Sequence, residues 1–203
     1  MADQFLETQM NYLKELYKQC PDDLEDRMLA TRKNDAFYFQ AFGEPCCLSS
    51  EGIFLNGEKV TGPVGVLIAL YALNVHNDAV QLYPLNSFQQ IMGSRAYRSA
   101  SNSFSEKNMI PHVISIQSRK EKIISFFDGS DNAGKEGGRG DFSFTLYPLP
   151  KVPLFYNFYL PDEEFSASVT CLYAANAKSF LPVDTIGDVT EFTGRKIIEL
   201  ATS

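Results

Sequence analysis

At 203 residues, with 44% hydrophobic side chains, 16 Phe and 10 Tyr but no Trp, the chain has ample apolar material for a packed core and lacks the composition of a disordered segment. A net charge of −7, with 18 basic residues scattered along the sequence, argues against nucleic acid or an anionic membrane as a partner. The longest apolar run, residues 64–73, is shorter than the ~20 residues that span a bilayer, and MADQFLETQM lacks the regions of a secretory leader, so a cytoplasmic location is expected.

Leu6, Met10, Leu13 and Tyr17 recur at helical spacing, which predicts an amphipathic helix over residues 3–18. Asp22 followed by Glu25 has the form of a capping box ahead of Leu24 and Met28, predicting a second helix that ends near Thr31. From Phe37 the period changes to two: Phe37, Phe39 and Ala41 share one face of a strand and Tyr38, Gln40 and Phe42 the other. Turn signals at Gly43-Glu44-Pro45, Glu51-Gly52 and Asn56-Gly57 divide residues 36–61 into an antiparallel meander. Pro63 suits a first helical position and opens a run that is apolar all round, the expected central buried helix over residues 64–74. Tyr71 within it reads as a core tyrosine whose hydroxyl must find a partner.

Two further helical stretches are predicted, at residues 87–104 with a break near Gly93, and at 113–127, where Lys120 interrupts the apolar face of Val113, Ile116, Ile123 and Phe127. Residues 128–140 hold five glycines and no large apolar group, which predicts a mobile surface loop. Phe142, Phe144 and Leu146 then alternate with Ser143, Thr145 and Tyr147 as a half-buried strand does. Pro148, Pro150 and Pro153 remove three backbone donors and predict an edge, a bulge or a crossing. Residues 154–160 and 165–173 read as strands joined by a tight acidic hairpin at 161–164. After Leu181-Pro182 a closing helix buries Ile186, Val189, Phe192, Ile197 and Leu200, with Gly187 and Gly194 weakening it. Together these elements predict a single α+β domain over residues 1–203: a mainly antiparallel sheet of about six strands with a buried central helix and flanking helices.

Few motifs carry chemistry. Residues 129–135, GSDNAGK, fit part of a phosphate-binding loop, but Glu136 replaces the Ser or Thr that would ligate magnesium and Asp131 would repel phosphate. Arg139-Gly140-Asp141 spells an adhesion tripeptide and reads as chance. His76 and His112 lie in no catalytic or metal-ligand motif; the first reads as a dipole partner after the buried helix, the second as a helix-start residue. Cys20, Cys46, Cys47 and Cys171 form no CxxC pair, so reduced thiols are expected, with Cys46 and Cys47 on opposite faces of a strand.

Two groups remain as ligand-binding candidates. Arg95, Tyr97 and Arg98 combine two cations with an aromatic ring and would suit a carboxylate or phosphate. Asp162, Glu163 and Glu164, with Asp141, would suit a hard cation or a basic group, or would serve as acid–base carboxylates with Tyr97 if enclosed.

The stretch GDFSFTLYPLPKVPLFYNFYLPDEEFSASVTCLYAANAKSFLPVDTI, residues 140–186, carries a resemblance. Its Gly140-Asp141, Leu149-Pro150 with Val152-Pro153, Asp162-Glu163-Glu164-Phe165, Cys171-Leu172-Tyr173 and Leu181-Pro182 resemble the C-terminal half of the prokaryotic domain-of-unknown-function family numbered three-seven-eight-six. The apolar residues 67–73 resemble that family's central helix, and Ser166 stands where a proline is usual. The resemblance implies an anaerobic context and an accessory role near a corrinoid, another tetrapyrrole or a redox cofactor, although this chain lacks the cysteine-rich cluster module of fused members. Three functions follow as expectations. The first is a cytoplasmic binding or accessory protein holding a small anionic or tetrapyrrole-like ligand between the Arg95 region and the acidic hairpin. The others are an enzyme using the carboxylates, and a module that pairs with a partner protein through its proline-rich edge strand.

Overall fold

The computed structural model describes residues 2–93 and 100–203. Helix α1, Ala2–Lys18, buries Leu13 and Leu16 and packs on the apolar helix α3, Pro63–Asn74. Between them lies α2, Leu24–Met28, where the predicted capping box does not form. Asp23 at its N-terminus pairs instead with Arg27 at 2.8 Å, and the Glu25 carboxylate accepts the Arg32 backbone N–H at 2.9 Å. In α3, Tyr71 is fully buried and its hydroxyl donates to the Met28 carbonyl at 3.3 Å, the satisfied core tyrosine expected.

The meander is a five-stranded antiparallel sheet in sequence order: β1 (Thr31–Lys33), β2 (Ala36–Ala41), β3 (Glu44–Ser49), β4 (Gly52–Leu55) and β5 (Glu58–Lys59). It begins at Thr31 rather than residue 36, because Thr31, Arg32 and Lys33 are all exposed and leave no alternation to read. Phe37, Phe39 and Ala41 point into the core as predicted, and Leu55 pairs with Glu58 around the Asn56-Gly57 turn.

Ser87 and Gln90 make a reciprocal capping box at the start of α4, Phe88–Met92, and α5 follows at Ala100–Met109. The single helix predicted over 113–127 is two, α6 (Val113–Ser118) and α7 (Lys120–Phe126), broken at Arg119. Lys120, the charge that interrupts the apolar stripe, is half-buried and pairs with Asp131 at 2.6 Å.

Where one sheet of about six strands was expected, a second sheet forms, of four antiparallel strands: β6 (Ser130–Asp131), β7 (Phe142–Leu149), β8 (Val152–Tyr159) and β9 (Ser168–Tyr173). The glycine-rich segment is therefore anchored: it supplies β6, and Asn132 is buried with its amide donating to Thr145 Oγ1 at 3.0 Å. The proline-rich stretch is not an edge, since β7 and β8 are the two interior strands. Its prolines are accommodated by a break in register between Leu146 and Leu149 and by a turn at Pro150-Lys151. The Pro148 carbonyl accepts the Phe42 N–H of the first sheet at 2.6 Å, which makes this the crossing between the sheets. Strand pairing with a partner through this stretch loses its basis. The acidic connection is also longer than a tight hairpin: Tyr159 pairs with Ser168, leaving residues 160–167 as a loop.

Helix α8, Val183–Thr202, closes the fold against α3, α5, α6 and α7, burying Ile186, Val189, Ile197 and Leu200 with Phe192 half-buried. Gly194 is a packing requirement rather than a weakness, because a Cβ there would stand 2.2 Å from Ser105 Oγ on α5. One apolar core runs through both sheets and the helices, giving the α+β architecture expected.

Candidate functional site

The strands of the second sheet present two faces. Tyr156 and Phe158 on β8, with Val169, Cys171 and Tyr173 on β9, face the helices; the Tyr173 hydroxyl reaches Thr190 Oγ1 on α8 at 3.1 Å. Asn157, Tyr159, Thr170 and Leu172 face the other way and floor a cleft of about 530 Å³. One wall is Tyr83-Pro84-Leu85, the other Glu136, Gly137 and Arg139 from the glycine-rich segment.

Both walls are fixed by hydrogen bonds over long sequence separations. Asn157 is buried at 3% exposure; its Oδ1 accepts the Arg139 backbone N–H at 2.9 Å and its Nδ2 donates to the Gly137 carbonyl at 3.4 Å. Gly137 has φ +81°, a conformation that favours glycine, and a Cβ there would lie 2.6 Å from Leu85 Cδ1 on the facing wall. On the opposite side the Asn176 side chain holds the chain leading to Tyr83, accepting from Gln81 N–H and donating to the Ala79 carbonyl, each at 2.8 Å. The Tyr83 hydroxyl donates to the Glu136 carbonyl and joins the walls. Partial burial, with Glu136 nearby, raises the Tyr83 pKa, so this hydroxyl stays a donor.

Arg139 is exposed at the rim, and among the described residues its guanidinium makes no ion pair or hydrogen bond. The Glu136 carboxylate is likewise without a partner among them. The cleft thus combines two tyrosines and two leucines with an available cation, an available anion and the Thr170 side chain. Its volume falls in the roughly 300–1,000 Å³ range of small-molecule sites.

Of the residues proposed from sequence, Asp141, Asp162, Glu163 and Glu164 do not line this cleft. Arg95, Tyr97 and Arg98 lie outside the described residues. Asp141 is exposed and its Oδ2 accepts the Leu160 N–H at 2.6 Å, tying the glycine-rich segment to the exit of β8. Asp162 is exposed and its Oδ1 accepts the N–H groups of Glu164 and Phe165 at 2.9 and 2.7 Å, organising the loop around itself; Glu163 and Glu164 are exposed beside it. None of these four carboxylates has the enclosure an acid–base role needs. Among the described residues no three His, Cys, Asp or Glu side chains converge as metal ligands would.

Sequence reasoning also passed over two buried polar features. Lys151, 4% exposed, donates from Nζ to the carbonyls of His76 and Asp78 at 3.1 Å each, so Lys151 rather than the exposed His76 is the cation beyond α3. Glu106 on α5 accepts the Cys171 N–H at 2.8 Å on the free edge of β9. Burial raises the Glu106 pKa and pushes the Cys171 thiol far up, so that thiol is a structural group and not a poised nucleophile. Of the cleft, Arg139 reads in sequence only as part of a chance tripeptide, while Asn157 carries a signal: one amide inside the apolar run Leu154-Phe155-Tyr156-Asn157-Phe158.

Fold and site together define an α+β protein with a small-molecule-sized cleft on the outer face of its second sheet. A family model described as Domain of unknown function (DUF3786) matches residues 21–196, and the chain belongs to that family. The match takes in every strand of both sheets and all the residues that line the cleft. No curated protein and no solved structure matches the chain. Among the described residues no helix is long and apolar enough to cross a membrane.

Proposed function

We propose that the protein is a binding module that holds a small, flat, carboxylate-bearing molecule in the cleft over its second sheet. The observation that carries this reading is the Arg139 guanidinium, unpaired among the described residues, in the same cleft as Tyr83 and Tyr159. On a chain of net charge −7 a cation at a cleft is a local exception, and guanidinium takes a carboxylate through two parallel hydrogen bonds. Tyrosine rings and the leucines supply the apolar contact that a conjugated body needs.

Of the tetrapyrrole-like ligands that the family resemblance implies for a cytoplasmic accessory protein, haem, with its two propionates, is a member of this class, whereas a corrinoid such as cobalamin carries amides in place of carboxylates and would offer Arg139 only its phosphate. The proposal rests on Arg139 and not on Arg95, Tyr97 or Arg98. Adding haem to the purified protein and recording the visible spectrum tests the tetrapyrrole version. A shifted band that Arg139→Gln abolishes supports it, and an unshifted spectrum removes it. Indole-3-propionate tests the wider class, because its indole emission is read against a chain with no Trp.

A further inference from the structure

Glu136 and Arg139 stand three residues apart on one wall of the cleft, carry opposite charge, and do not pair with each other within 4.0 Å or with any other described residue. Their backbone explains the separation. Asn157 takes the Gly137 carbonyl and the Arg139 N–H, Tyr83 takes the Glu136 carbonyl, and the intervening Gly137 and Gly138 are pressed against Leu85 and the Asn132 carbonyl. The wall is pinned from the sheet below and from the opposite wall, and both charged residues line a ligand-sized space and are exposed. A ligand that is only anionic would bring its carboxylate to Arg139 while the Glu136 charge on the same wall opposed it.

From this we infer that the ligand is a zwitterion of the amino-acid class, with its carboxylate on Arg139, its ammonium on Glu136 and an aromatic or aliphatic body against Tyr83, Leu85, Tyr159 and Leu172. The inference rests on the reading of the cleft as a carboxylate site and adds to it the second charge. Thr170, exposed on the floor, offers a hydroxyl to whichever polar group lies deepest. A volume of about 530 Å³ leaves room for an aromatic amino acid or a dipeptide.

Three indole compounds separate the terms: L-tryptophan carries both charges, indole-3-propionate the carboxylate alone, and tryptamine the ammonium alone. Fluorescence titration of each against the full chain reads the ligand without background, since the protein has no Trp. Tryptophan is expected to bind about tenfold more tightly than either single-charge compound. Glu136→Gln should remove the advantage of tryptophan over indole-3-propionate, bringing the two within about twofold of each other, and should leave indole-3-propionate bound no more weakly than by the wild type. Indole-3-propionate binding as tightly as tryptophan would overturn the zwitterion and leave the carboxylate site standing. If neither carboxylate compound binds, or if Arg139→Gln changes nothing, both readings fall together. Both substitutions fall on exposed side chains whose backbone contacts are unchanged, and matching far-ultraviolet circular dichroism of the variants distinguishes lost binding from lost fold.

Discussion

The Asn157 carboxamide oxygen accepts the Arg139 backbone N–H at 2.9 Å, so a residue buried in the middle of β8 decides where the cation of the cleft stands. Its amide nitrogen takes the Gly137 carbonyl, which makes one side chain the anchor of the whole wall. Asn157→Ala leaves both backbone groups without that partner and is expected to lower stability by about 1–3 kcal/mol in urea denaturation. It should also weaken indole-3-propionate, because Arg139 is no longer held at the rim. A variant as stable as the wild type, with unchanged affinity, would show that the anchor is dispensable.

Gly137→Ala tests the contact between the walls. At φ +81°, with Leu85 Cδ1 2.6 Å from the added carbon, the substitution strains the backbone by about 1–2 kcal/mol and pushes the walls apart. Binding should fall even under conditions where the variant is fully folded, as judged by circular dichroism and titration on the same sample. Wild-type affinity in a folded variant would place the ligand elsewhere.

The Glu106 carboxylate gives a pH-dependent prediction. Burial raises its pKa and the Cys171 N–H opposes that rise. For a carboxylate whose folded pKa is raised, the stability contribution is complete below the unfolded value, about 4.3, and is lost as pH climbs through the folded value. Glu106→Gln keeps an acceptor for Cys171 and has no proton to lose. Its Tm should therefore exceed that of the wild type at pH 7, with the difference closing towards pH 4. A difference that stays constant between those pH values, or a wild type more stable at pH 7, contradicts this assignment.

Lys151→Ala addresses the hairpin tip. The buried ammonium donates to the His76 and Asp78 carbonyls and lies 5.8 Å from the Phe180 ring centroid. Removing it leaves those carbonyls without their charged donor at an expected cost of about 1.5–3 kcal/mol. Hydrogen exchange should rise along residues 75–80. Unchanged exchange there would mean the segment is held by other contacts.

Local patterns were legible in the sequence, and non-local ones were not. Phe37, Phe39 and Ala41 on one face of β2, Pro63 opening α3, the turn at Asn56-Gly57 and the buried side of α8 all follow from spacings of a few residues. The division into two sheets depends on pairs such as Ser130 with Thr145 and on the Phe42 to Pro148 bond, which no local period encodes. The acidic loop shows why density misleads: Asp162, Glu163 and Glu164 crowd together in sequence, yet all three are exposed and Asp162 accepts the N–H groups of Glu164 and Phe165 within its own loop. The cleft is assembled from residues 83–85, 136–139, 157–159 and 170–172, and only Asn157, an amide in an apolar run, hinted that something polar had to be held there.

Whether Arg139 makes the cleft a carboxylate site is tested most directly by indole-3-propionate fluorescence titrated with the wild type and with Arg139→Gln. Saturable binding to the wild type that weakens by about tenfold or more in the variant is the predicted result. Equal affinity in the two proteins, or no saturable binding to the wild type, would contradict it.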